Sequence, residues 1–151
     1  MSLRFPYKLI RSGLLIPSLR GRTVRPRPLV LVGLSGPAST VPRTALLDTG
    51  ADDTVFHKSL AALLGLDLSN APSGSGTVPG LGSFPLRFAD VTLRLTDGQE
   101  QREWPATIGF TPAKLVYPML GFAGCLQFFR AVFDGDLEQV ELTVNGLYPG
   151  T

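Results

Sequence analysis

Residues Ala45-Leu46-Leu47-Asp48-Thr49-Gly50-Ala51-Asp52-Asp53-Thr54-Val55 decide how this chain is read. An apolar run delivers one acid, Asp48, into a Thr-Gly turn. A carboxylate at a strand-to-turn junction, with a small glycine two residues on, can stand exposed at the floor of a cleft. The same tripeptide also occurs in ordinary Asx-turns, where the acid only bonds nearby backbone. Asp-Thr-Gly alone leaves both readings open, so the surrounding chain has to separate them.

Around that stretch the pattern is one of short strands. The 151 residues, 44% hydrophobic and 17% charged, suit one folded domain with a sizeable core. Seventeen glycines and thirteen prolines favour many turns over a helical bundle. Leu29–Val32 reads as a buried strand, and Arg43–Asp48 as a second one ending at the acid. Ser59–Leu64 reads as a short helix, with Ser59 as N-cap and Gly65 as stop. Ser69–Gly76 reads as a loop. Thr77–Gly82 and Phe84–Asp90 read as a hairpin with Gly80-Leu81-Gly82-Ser83 at its tip, where Pro79 and Pro85 should make pairing less regular. Val91–Leu95 and Trp104–Phe110 are further strands. Phe122–Phe129 reads as a second short helix, and Arg130–Phe133 with Gln139–Val144 as a terminal hairpin. The expected class is all-β, closed or sandwich-like, with two short helices.

Charge is unevenly spread. All twelve acids lie at or after Asp48, whereas eight of the fourteen basic residues precede it. Residues 1–27 are therefore a basic N-terminal extension, and 28–151 the folded domain. The extension reads as a solvated arm that partly adds a strand, in preference to an anionic-surface or nucleic-acid binder. Its apolar piece Leu14-Leu15-Ile16 is stopped by Pro17, a poor fit to a secretory signal, although an Arg-rich, acid-free start matches a transit peptide in composition. No stretch approaches the roughly 20 apolar residues that span a bilayer. A cytoplasmic location is expected, with neither a membrane nor a nucleic acid as partner. Cys125, the single cysteine, sits in an apolar run and reads as a buried, inert thiol. His57 is the only histidine, and no cluster has metal-ligand spacing, so neither a metal nor an organic cofactor is expected.

Three landmarks occur in order: Asp48-Thr49-Gly50-Ala51-Asp52-Asp53, a hairpin with a Gly-x-Gly tip about thirty residues on, and Met119-Leu120-Gly121. Together they resemble the retropepsins, the half-sized, retroviral-type aspartic proteases, over about Pro28 to Leu142. The aromatic Phe122 after Gly121 looks most like the bacterial members. The resemblance implies a retropepsin-like barrel whose hairpin 77–90 is a flap. It implies Asp48 as catalytic acid, Thr49 as a brace between two active-site loops, and Gly50 as a contact to bound peptide. Ala51, Asp52, Asp53, Gly80, Leu81, Gly82, Tyr117 and Met119 match substrate-binding positions. In retroviral enzymes an Arg follows the Gly matching Gly121 and pairs with the acid matching Asp52. Phe122 stands there instead, so Asp52 either borrows an Arg from the extension or stays solvated.

The implied activity is aspartic endopeptidase. That chemistry uses two carboxylates close enough to share a proton. No second Asp-Thr-Gly or Asp-Ser-Gly exists in the chain. Thr96-Asp97-Gly98 and Phe133-Asp134-Gly135 lack the intervening hydroxyl residue and read as turns. The second acid must come from another copy, so a homodimer acting on peptide or protein substrates is expected. The alternative is a non-catalytic, dimeric peptide-binding module on the same fold. Residues 1–27 could serve either as a pro-segment across the cleft, as an added interface strand, or as a free tail. Ala51 stands where pepsin-like relatives usually carry a hydroxyl residue that donates to the acid. Without that donor the charged form is less favoured. A mildly acidic optimum is expected in a pH–rate profile, and a peak near pH 2 would contradict it.

Overall fold

The computed structural model describes residues 1–78 and 82–151. Among them, twelve strands carry the fold: β1 (Leu3–Pro6), β2 (Lys8–Ile16), β3 (Arg22–Arg27), β4 (Leu29–Ser35), β5 (Thr40–Leu47), β6 (Val55–His57), β7 (Ser73–Val78), β8 (Gly82–Thr96), β9 (Gln101–Thr111), β10 (Met119–Leu120), β11 (Phe129–Asp134) and β12 (Gln139–Val144). One helix, α1 (Ser59–Leu64), accompanies them. The chain is therefore all-β in class. No helix among the described residues is long and apolar enough to cross a membrane.

Six of these strands form a ring. β4 is antiparallel to β5, β5 parallel to β10, and β10 antiparallel to β6. β6 is parallel to β9, β9 antiparallel to β8, and β8 returns to β4 with Val32 opposite Leu95. Closure satisfies backbone groups that an open sheet would leave along its edges. The short β10 enters this ring late in sequence, threaded between β5 and β6. β8 is long enough for three partners: its first residues pair with β7 in a hairpin that leaves the ring, and the rest pair with β9 and β4.

Side-chain alternation explains which faces turn inward. Val30, Val32 and Leu34 of β4 are buried, whereas Leu31 between them is exposed. Leu93 and Leu95 of β8 meet Trp104, Ile108 and Phe110 of β9 in one continuous core. Trp104 packs edge-on against Phe129 at 5.2 Å between ring centroids, and its indole N–H donates to the Gly124 carbonyl at 2.8 Å. A second sheet, in the order β1-β12-β11, contributes Leu3, Phe5, Val140 and Leu142 to that core.

Within residues 1–27, Leu3–Pro6 is the added strand, pairing with β12 so that Leu3 lies opposite Leu142. β2 and β3 form a separate two-stranded sheet. An Arg22–Glu138 ion pair at 3.0 Å links it to the β11–β12 turn, where Tyr7 N–H also bonds the Glu138 carbonyl at 2.7 Å. The exposed ion pair contributes little by itself.

Four sequence expectations need correction. Phe122–Phe129 is no α-helix: only Leu126–Phe128 makes a single 3-10 turn. The carbonyls of Ala123 and Gly124, which an α-helix would bond to Gln127 and Phe128, accept instead from Thr54 and from the Trp104 indole, so the segment closes in turns. Ser59 is not the N-cap of α1; Lys58 is, and the Ser59 hydroxyl contacts His57 Nδ1 at 2.8 Å. Gly65 does stop the helix, in a left-handed conformation at φ 79°. Ser69–Gly76 is a loop only to Pro72, because Ser73–Gly76 is already paired with β8. Pro85 does not disturb that pairing: register runs unbroken from Ser73–Arg87 to Val78–Gly82. Pro79, Gly80 and Leu81 lie outside the described residues.

Leu3 is fully buried although it lies at the start of a polar, basic segment. Leu3→Ala should lower unfolding stability by about 3 kcal/mol. Urea denaturation checks this, and a change below about 0.5 kcal/mol, the size of an ordinary surface substitution, would show that β1 does not hold the core.

Candidate active site

β5 ends at Leu47 and delivers Asp48 to the cavities beside it. The Asp48 N–H bonds the Leu120 carbonyl at 3.0 Å, so the acid is fixed by β10 from its first backbone atom. Gly50 N–H donates to Asp48 Oδ1 at 2.9 Å, and no other donor among the described residues bonds that carboxylate. The Asx-turn anticipated for Asp-x-Gly is thus present, and it orients the acid.

The loop 48–54 is zipped onto residues 121–123. Phe122 N–H bonds the Ala51 carbonyl and Ala123 N–H the Asp52 carbonyl, both at 2.9 Å. Thr54 N–H returns to the Ala123 carbonyl at 3.1 Å. The buried Thr54 hydroxyl donates to that same carbonyl at 2.9 Å and accepts the Gly121 N–H at 3.3 Å, so this buried polar side chain is satisfied. Gly109 N–H bonds the Thr54 carbonyl at 2.8 Å, anchoring the loop's far end to β9.

Two cavities flank Asp48. The first, about 350 Å³, has an acidic floor of Asp48, Asp52 and Asp53 and a far wall from the hairpin, including Gly76, Phe84 and Leu86. Gly50, Ala51 and Met119 also line it. The second, about 450 Å³, shares Asp48, Phe84 and Met119 and adds Gly82, Tyr117, Arg27 and Lys114. Of the anticipated site residues, these two spaces gather Asp48, Gly50, Ala51, Asp52, Asp53, Gly82, Tyr117 and Met119. Thr49 lines neither and is exposed. Gly80 and Leu81 fall outside the described residues.

Asp53 titrates above the usual carboxylate range, first because burial penalises its charge and second because Asp52 lies nearby. Of the three ion pairs among the described residues, none includes Asp52, which remains without the Arg neighbour that retroviral enzymes provide. Cys125 is buried and its thiol is pushed up to about 12 by desolvation, which makes it a poor nucleophile. No group of three His, Cys, Asp or Glu among the described residues could hold a metal ion.

Phe84, Arg27 and Lys114 also line these spaces and are not among the anticipated site residues. Phe84 has a legible signal in hindsight. It lies opposite Gly76, and a Cβ there would come within 2.6 Å of its ring. Arg27 and Lys114 carried no local signal, since only the folded register brings them to Asp48. Comparison with protein-family models and with curated proteins gave no match.

Gly121 is the tightest point of the site. A Cβ there would collide with the Asp53 carbonyl oxygen and lie 2.7 Å from that of Ala51. Gly121→Ala should therefore cost about 3 kcal/mol through forced backbone movement. Gly135→Ala, at an open turn with nothing near its Cβ, is the control and should change stability by less than about 0.5 kcal/mol. Equal melting temperatures for the two variants would refute the close approach.

Proposed function

We propose that the chain is a retropepsin-like aspartic endopeptidase that works as a homodimer, with one Asp48 from each copy. The observation that carries this reading is the placement of Asp48. It stands at the end of β5, locked by β10 threaded between β5 and β6, on the floor of a cavity roofed by the β7–β8 hairpin. An acid held by backbone, beside space for an extended peptide, suits positioning of a water and a scissile carbonyl. The exposed Thr49 and the 61% exposed Phe122 leave polar and apolar surface beside the loop for a second copy to cover.

The mechanism follows from two like charges about 3 Å apart, which together hold one proton. The ionised Asp48 removes a proton from the water, whose oxygen bonds to the peptide carbonyl carbon. The protonated Asp48 donates to the carbonyl oxygen as it becomes an alkoxide. Collapse of the resulting diol breaks the carbon–nitrogen bond as the leaving amine takes up a proton. The apparent ionisations belong to the pair. Neither metal nor organic cofactor enters this scheme.

Cleavage of a diverse peptide library tests the reading. Wild type should yield discrete products, and Asp48→Asn should lower the rate by about 10³-fold or more. Products from neither protein would favour the peptide-binding module. Sedimentation showing only monomer at a concentration where wild type still cleaves would refute the two-copy site.

A further inference from the structure

The strand register places a cation beside Asp48. β4 and β5 run antiparallel with Leu29 opposite Leu46, and Leu47 N–H bonds the Pro28 carbonyl at 3.0 Å. One step further outward, that register sets Arg27 across from Asp48. Both line the 450 Å³ cavity, and Lys114, from the segment between β9 and β10, adds a second cation. Three formal charges therefore surround this space, two positive and one negative. The neighbouring 350 Å³ cavity has the opposite character, with three acids and no basic residue.

Arg27 is not used up by the fold. Its Nε is buried and has no hydrogen-bond acceptor among the described residues, and neither Arg27 nor Lys114 joins any of their ion pairs. A buried donor without an acceptor is unfavourable, and a charge-assisted bond to a carboxylate would relieve it. The remaining walls include Leu46, Leu115, Tyr117 and Met119, which are apolar or half-apolar. An occupant that matches them has an aliphatic body and an anionic end.

We propose that this cavity is a subsite for a glutamate side chain of an extended peptide, and that Arg27 selects it. Lys114 reinforces the field from the cavity mouth. This rests on the reading of the cleft as a peptide site. A two-fold pair of chains would carry two such subsites, one on either side of the bond to be cut. The adjoining acidic cavity would reject the same side chain, which fixes the register of the bound peptide.

The experiment uses matched peptide pools with Glu or Gln at each position in turn, bound to full-length Asp48→Asn protein and read by fluorescence anisotropy. Glu peptides are expected to bind about tenfold tighter at one position or at a symmetric pair of positions. Arg27→Gln on the same background should abolish the preference, and Arg27→Lys should keep part of it. Lys114→Gln, a change on an exposed segment that leaves folding intact, should lower the preference by roughly threefold. Equal affinities for Glu and Gln peptides, or no binding of either, would overturn the proposal. An Arg27→Gln chain that loses self-association and binds neither pool would assign Arg27 to an acid of a second copy, and would also overturn it. Wild-type cleavage without Glu preference overturns this inference and leaves the peptidase reading standing. Glu-selective binding without cleavage supports it and removes the peptidase reading.

Discussion

The fit of the Asp48–Thr54 loop against residues 120–123 is the constraint on which the rest depends. Four backbone hydrogen bonds cross between the two segments, and they can do so only because position 121 has no side chain. That contact sets where β5 ends, inserts β10 into the ring and holds the site carboxylate without any side-chain partner. Loss of regular helix after Gly121 follows from the same contact, since the Ala123 carbonyl that would accept a helical bond from Gln127 is spent on Thr54. Rigidity at the floor of the cleft is thus a backbone property. The walls, built from Phe84, Met119 and Tyr117, can vary without disturbing it.

A division of labour follows. The ring supplies a fixed floor, and the β7–β8 hairpin supplies a wall that stands outside the ring. Glycines at 74 and 76 leave room for the rings of Phe88 and Phe84 to lie across β7, so aromatic surface substitutes for missing side chains. In the proposed chemistry the floor positions the reacting acid, while the wall and the segment before β10 meet the substrate.

Much of this was legible in the sequence, and the limits have physical causes. Gln139–Val144 and Ser59–Leu64 carry clear local patterns and fold over those spans. Asp48 was legible as a turn acid because Asp-x-Gly specifies an Asx-turn, whereas its place beside a cleft depended on the surrounding chain. Ser73–Gly76 was not, because small polar residues look like loop until an aromatic strand covers them. Arg27 was read only as one of many basic residues, since its position beside Asp48 comes from a pairing register. Pairing of β1 with β12 was equally hidden, as Leu3 and Leu142 meet only through the folded core.

That last pairing carries a consequence for how the chain reaches its native state. Leu3 and Phe5 stay without their strand partners until β12 has left the ribosome, so the second sheet forms only after residues through Val144 have been synthesised. Closing a contact over such a span is entropically slow and concentrates the barrier in a late step. Until then the apolar, cationic segment that carries Leu3 and Phe5 is open to chaperones, to proteases and to other nascent chains.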